Sequence, residues 1–365
     1  IIMIKSYLIN KYLGKEFFKI ILNTTVIFFC LGFIMNLFEE INFFKDYDVT
    51  IIVPIKLTLL FVPNLINNYF PFVILLSGMW FFLKIKKTDE LTAINIAGRS
   101  NFSIILVPSF LAIILGIFFV TTLSPITSEL IKRYEKIKGN YELDKEYLAA
   151  ITENGIWIKE RKLENNYIIR SANIENNKLM GITIYEFDKD DNFNRRIEAE
   201  SANIDSLSWI LYNVRIIDKD GAVLSSNVKN ITYNSIYNLD KIQSLYSNLD
   251  TISFWNLDEE IKLLRDRGYS TKEMQVKLHK SFAFPFFLLS MVLLSSLFTI
   301  GTKKSESNWT YVFITIISSI LIFFFNDFSA ALGKTEKLPL HLSVWMPIII
   351  IFIFSSIGLI NANQK

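Results

Sequence analysis

An acidic run with helical spacing is the first place in this 365-residue chain where residue types could do work on a partner. Asp89 and Glu90 are followed by Leu91, Ile94, Ala97 and Gly98. Thr88 can cap a helix here, the two acids favour its first turn, and Gly98 can end it, so a helix over about 88–98 is predicted. Leu91 and Ile94, with Asn95 and Gly98, share one face. Such a helix can plug the groove of another protein or lie on a lipid surface, and both readings stand on physics alone. Polar groups also gather near the ends of apolar runs. Asn64, Asn67 and Asn68 fall at i, i+3, i+4, hence on one helical face. Asn36, Glu39 and Glu40 close the first apolar run, and Asn326 with Asp327 closes the fifth. These side chains can bond helix to helix, or they can rim a polar-edged cavity and its gate.

Catalytic patterns do not stand out. Gly333-Lys334-Thr335 looks like the tail of a phosphate-binding loop, but the glycine required five residues earlier is Phe328. With His279 and His341 as the two histidines and Cys30 as the single cysteine, no disulfide framework, metal centre or cofactor is expected. The expectation is a non-catalytic protein.

The elements that carry these residues are membrane spans. Six stretches, 20–38, 57–83, 102–123, 281–301, 309–325 and 342–360, contain no charge. A helix needs roughly 20 apolar residues to cross a bilayer core of about 30 Å. Hydrophobic residues make up 51% and charged ones 20%, which excludes a single soluble domain. The block 124–280 holds 23 basic and 25 acidic residues, so no basic surface for nucleic acid exists there. Basic residues mark the cytoplasmic side of short loops. Lys5, Lys11, Lys15, Lys19, Lys84, Lys86, Lys87, Arg99, Lys303, Lys304 and Lys365 fall on one side, against Lys45, Lys56, Lys334 and Lys337 on the other. Both termini are therefore expected in the cytoplasm and the large block outside. The first run is too long for a typical signal-peptide core and lacks an A-x-A-like site, so it is read as a span. Ionisable groups are absent from the middle of all six runs, which argues against a proton-driven carrier. If the protein moves a substrate, energy has to arrive from another subunit.

The outer block reads as β structure followed by helix. Short runs at 155–160, 167–174, 182–188, 195–204, 209–218 and 230–234 are separated by Asn176-Asn177, Asp190-Asp191-Asn192 and Asp220-Gly221. Simple alternation puts Ile210, Tyr212, Val214 and Ile216 on one face and Trp209, Asn213 and Arg215 on the other. Asn256 with Glu259, and Ser270 with Glu273, match capping boxes, and Gly268 is a candidate stop for the first of these helices. The second is expected to run into the fourth span without a break. The predicted fold is membrane α-helical, with six spans arranged three plus three around an inserted all-β, jelly-roll-like domain: 1–124 for the first three spans, 125–280 for the β domain with its connecting helices, 281–365 for the last three spans.

The run 89–99 resembles the cytoplasmic loop of the LptF/LptG permease family of lipopolysaccharide exporters. Ordered matches extend along nearly the whole chain and favour the LptG branch: Val62-Pro63 and Phe70-Pro71 before Leu75, Leu76 and Gly78; Asn154-Gly155-Ile156-Trp157 with Gly181 to Phe187; 261–268 before Leu278-His279-Lys280 and Pro285; Leu338-Pro339 with Trp345 and Pro347. The resemblance implies a multi-pass protein of the Gram-negative inner membrane with a periplasmic jelly roll. It implies an LptB-like ATPase dimer, an LptF-like heterodimer partner and LptC-like and LptA-like periplasmic jelly-roll proteins, with lipopolysaccharide as cargo and no nucleic acid. By carry-over, 89–98 is the coupling helix, Glu90 pairs with an ATPase arginine, an open sheet edge adds to a neighbouring jelly roll, and spans one and five line lateral gates. One departure matters. Relatives carry lysines at the outer end of the first span, whereas 36–44 has none before Lys45, which argues against phosphate contact through this span. A lipid A with less phosphate, or basic residues from the partner, would fit. Two other classes compete: a membrane-anchored periplasmic scaffold, and an ABC permease for another amphiphile such as a lipoprotein.

Overall fold

The computed structural model describes residues 2–139, 141, 147–152, 155–162, 165–175, 178–189, 192–235, 237, 248–266, 271–300, 308–335 and 337–363. Asn154, Asn176-Asn177, Asp190-Asp191, Gly268, Ser270, Lys303, Lys304 and Lys365 lie outside the described residues. The chain divides into a helical unit, Ile1–Glu135, Asp250–Leu257 and Lys272–Lys365, and a sheet-bearing unit, Lys136–Leu249 and Asp258–Thr271.

The helices in chain order are α1 (Ile2–Phe43), α2 (Ile52–Lys87), α3 (Glu90–Ile96), α4 (Asn101–Phe118), α5 (Ser124–Gly139), α6 (Leu257–Asp266), α7 (Lys272–Ile300), α8 (Asn308–Lys334) and α9 (Leu340–Asn363). Among the described residues six helical spans are long and apolar enough to cross a membrane, and each overlaps one of the uncharged runs, so the three-plus-three plan is what the protein adopts. A π-helical turn over Phe119–Leu123 joins α4 to α5, and its Thr121 carbonyl accepts a hydrogen bond from Trp255 Nε1 at 3.0 Å. The second connecting helix does run unbroken into the fourth span as α7.

In the helical unit α7 is the hub, touching α2, α4, α8 and α9. Over half of its apolar window (56%) is buried, against 22% in α1 and 17% in α8. Lipid tails are as apolar as leucine, so helices in a bilayer associate through close packing rather than through water exclusion. Small residues allow that approach. A Cβ on Gly116 of α4 would sit 2.5 Å from Pro285 Cα, and one on Gly78 of α2 would sit 2.1 Å from Ser295 Oγ, both partners on α7. Phe287, Leu288, Met291 and Val292 of α7 fill the core between these contacts.

The sheet unit contains β1 (Tyr147–Thr152), β2 (Gly155–Lys162), β3 (Asn165–Ser171), β4 (Asn173–Glu175), β5 (Lys178–Phe187), β6 (Phe193–Asn203), β7 (Ser208–Asp218) and β8 (Val223–Asn234). They pair antiparallel in the order β1-β2-β3-β5-β6-β7-β8, with β4 also on β5. Strands β3 and β4 are one strand broken at Ala172, and the break lies opposite Gly181, whose φ of 58° few other residues accept. Isoleucines dominate the buried face: Ile156, Ile158, Ile169, Ile182, Ile184 and Ile197. β2 and β8 are five strand spacings apart, about 24 Å in a flat sheet. Yet Tyr233 Oη on β8 donates to Glu160 Oε2 on β2 at 3.0 Å, so the sheet curls back onto itself, the behaviour of a jelly-roll-like domain.

The expected faces of β7 need correction. Trp209 and Leu211 are buried and Ile210 is 40% exposed, on opposite faces as alternation requires, but Val214 is buried with Trp209 instead of lying on the side of Ile210. Asn213 has φ 52°, and the ladder between β6 and β7 is interrupted at Asn213 and Glu200, with the same register on both sides: Tyr212 pairs Ser201 and Val214 pairs Ala199. The left-handed backbone at Asn213 interrupts the pleat, so Val214 joins Leu211 on the buried side. The Asn213 side-chain amide donates to the Glu200 carboxylate.

Candidate coupling and gate sites

The loop between α2 and α4 is built from two reversals. Asp89 adopts φ 61° and Gly98 φ 89°, and the short helix α3 hangs between them. Thr88 does not open α3, as expected from its type; it closes α2, donating from Oγ1 to Lys84 O at 2.9 Å. Asp89 takes the left-handed conformation that Asp and Asn tolerate better than most residues. Ser100 then caps α4, accepting from Ser103 N at 3.3 Å.

Leu91 and Ile94 pack inward against the helical core. Glu90 is half-buried and accepts from Tyr12 Oη of α1 at 2.9 Å. Ala97 and Gly98 are exposed, and Asn95 donates to Asn101 Oδ1 at 2.9 Å. Ile96, which sequence reasoning did not single out, is 83% exposed at the tip of the helix. An isoleucine out of phase with Leu91 and Ile94 was the available signal. Two further polar links tie α1 to this end: Lys84 to Glu16, and Arg99 to Asn10. Between them Leu8, Ile9, Tyr12, Glu90, Ala93 and Ile94 line an open, mostly apolar cleft of about 450 Å³.

The other candidate residues separate. Asn36 is buried at 3% exposure, and its amide reaches Glu39 at 3.5 Å while its Oδ1 has no partner among the described residues. One turn on, Glu40 is 1% exposed and accepts from Tyr134 Oη of α5 at 2.7 Å. Asn64 is buried and donates to Asp250 at 2.7 Å, which ties α2 to the segment before α7. Asn67 is half-buried and Asn68 exposed, so the three asparagines do not act as one surface. Asn326 is half-buried and Asp327 exposed on α8. Among the described residues no group of three or more His, Cys, Asp or Glu is arranged to hold a metal ion.

Along most of its length the chain is similar in sequence to known proteins. The chain is 23% identical over 337 residues to the lipopolysaccharide export system permease protein LptG of Haemophilus influenzae, covering 90% of each chain. It is 23% identical over 329 residues to the protein of that name in Escherichia coli K12, covering 87% of this chain and 88% of that one. The family model for the lipopolysaccharide export system permease LptF/LptG matches residues 11–361. A six-span membrane protein with a β domain inserted between its halves, matched almost from end to end, the chain belongs to the LptF/LptG family of lipopolysaccharide export permeases.

Proposed function

We propose that this chain is the permease subunit of an ATP-driven exporter that extracts lipopolysaccharide from the inner membrane, the energy coming from a separate, LptB-like ATPase dimer. An LptF-like permease completes the membrane unit, and the sheet domain, on the periplasmic side with both termini in the cytoplasm, hands the lipid through LptC-like and LptA-like proteins to the periplasmic bridge. The observation that carries the energy-coupling part is Ile96: a large apolar side chain at 83% exposure on a short, tightly bracketed helix. An exposed isoleucine there, with Asp89, Ala93 and Ala97 around it, suits an apolar groove on a partner. The weakly buried faces of α1 and α8 suit the lateral gates and the contact with the second permease. Because α1 has no basic residue between Lys19 and Lys45, a cargo with little phosphate near this span fits best.

Ile96→Asp tests the reading more cleanly than a change at Glu90, whose carboxylate also holds Tyr12. Purified in mild detergent with its native partners, the wild-type chain should retain an ATPase and Ile96→Asp should lose at least about 90% of it, a loss of more than roughly 1.4 kcal/mol of binding. Equal ATPase recovery with both proteins would reject α3 as the coupling element.

A further inference from the structure

Both ends of α1 are fastened by a tyrosine–glutamate hydrogen bond. Tyr12 on α1 meets Glu90 of α3 at 2.9 Å, and Glu40 on α1 meets Tyr134 of α5 at 2.7 Å. The two fastenings are 28 residues apart on one helix without proline, about 42 Å along its axis. At the α3 end an open cleft separates the elements, so the Tyr12 hydroxyl bridges a gap that side-chain packing does not fill. At the other end Glu40 is 1% exposed, and the Tyr134 ring is set against Phe61 with centroids 5.2 Å apart.

Asn36 is the unusual member of this group. It lies one turn before Glu40 on the same side of α1, is 3% exposed, and its Oδ1 accepts no hydrogen bond among the described residues. A buried acceptor left without a donor costs stability, and an apolar side chain of similar size would remove that cost. Keeping an asparagine there suits a second position of the helix. Moving α1 by one turn, about 5.4 Å, toward its C-terminal end carries Asn36 to the place of Glu40 in front of the Tyr134 hydroxyl. Packed helices move between discrete registers because their ridges interlock, so a one-turn step is a natural unit.

We propose that α1 is a two-position rod, with Tyr134 bonded to Glu40 in one register and to Asn36 in the other, and with Tyr12–Glu90 as the link through which α3 drives it. Tyr12, Asn36 and Tyr134 are then positioning residues for transport. The proposal rests on the ATP-driven reading above and adds the residues that convert motion of α3 into motion of the gate helix.

The test uses the complete complex in proteoliposomes containing lipopolysaccharide, and measures lipid released per ATP hydrolysed alongside thermal stability. Asn36→Leu should be as stable as the wild type or more so, should keep the bound ATPase and its hydrolysis, and should release at least about fivefold less lipid per ATP. Tyr12→Phe should show the same uncoupling with its ATPase still bound. An unchanged ratio in Asn36→Leu overturns the second register, and so does a marked loss of stability, because Asn36 would then be paired in the resting state. An unchanged ratio in Tyr12→Phe removes the link. If the wild-type complex itself holds no ATPase, the ATP-driven reading fails, which the same preparation reveals before any variant is compared.

Discussion

Tyr233→Phe isolates the contact that curls the sheet domain closed. The ring rests against Trp209 and Tyr167, each with centroids 5.9 Å away, and phenylalanine keeps both contacts. What disappears is the hydroxyl that donates to Glu160 Oε2 at 3.0 Å, while Ser235 Oγ still donates to Oε1. Glu160 is fully buried, so its carboxyl loses one of its partners in a place where water cannot replace it. A hydrogen bond to such a group contributes about 1.5–3 kcal/mol. Hydrogen exchange reads that loss locally, because opening of β8 away from β2 exposes their amides without unfolding the β5–β6 hairpin. Amides of β2 and β8 should exchange about 10- to 150-fold faster, with β5 and β6 nearly unchanged. A change below about threefold in β2 and β8 would show that this bond does not hold the curl. An equal acceleration in every strand would show that it supports the whole domain and has no particular role in closure.

Two further outcomes follow from the same packing. Burial, reinforced by the nearby carboxyl of Glu160, pushes the Tyr233 phenol well above its usual range, and burial also raises Tyr167. Because their folded-state values are raised, the unfolded chain loses these protons first. Stability of the sheet domain should hold up to about pH 10 and fall as pH rises from there toward the folded-state values, and absorbance titration of tyrosinate should find two phenols that resist ionisation until the domain opens. Gly116→Val places side-chain atoms against the Pro285 backbone, 2.5 Å from the position of the first added carbon, so α4 and α7 must separate. The expected loss is about 1–3 kcal/mol or more, seen as a lower melting temperature in detergent, whereas the same change at Gly221, with open space around its Cβ position, should act through its backbone alone.

The plan of the membrane unit was legible because it is local: an uncharged run of sufficient length dictates a span whatever lies elsewhere in the chain. The strands around 155–160, 182–188 and 195–204 were legible for the same reason, through alternation and turn residues. The faces of β7 were not. Val214 falls on the same side as Trp209 and Leu211 because the pleat is interrupted at Asn213, with φ 52°, and nothing in the local pattern of 208–218 announces it. The candidate site shows the same division. The acidic helix could be located from its composition, and Leu91 and Ile94 from their spacing. The partners of Glu90 and Glu40, Tyr12 and Tyr134, stand 78 and 94 residues away, and pattern reading has no means of joining them.

The central position of α7 has a consequence for how the protein is made. The helix that α2 and α4 pack against is synthesised last among the three, after the whole sheet-bearing segment. From the end of the third span's apolar run at Leu123 to the end of α7 at Ile300, translation at about 5–20 residues per second takes roughly 10–35 s. For that interval Gly78 and Gly116 present narrow grooves to lipid with no helix to fill them. The close-packed contacts of the first three spans are therefore completed only when α7 arrives, late in synthesis.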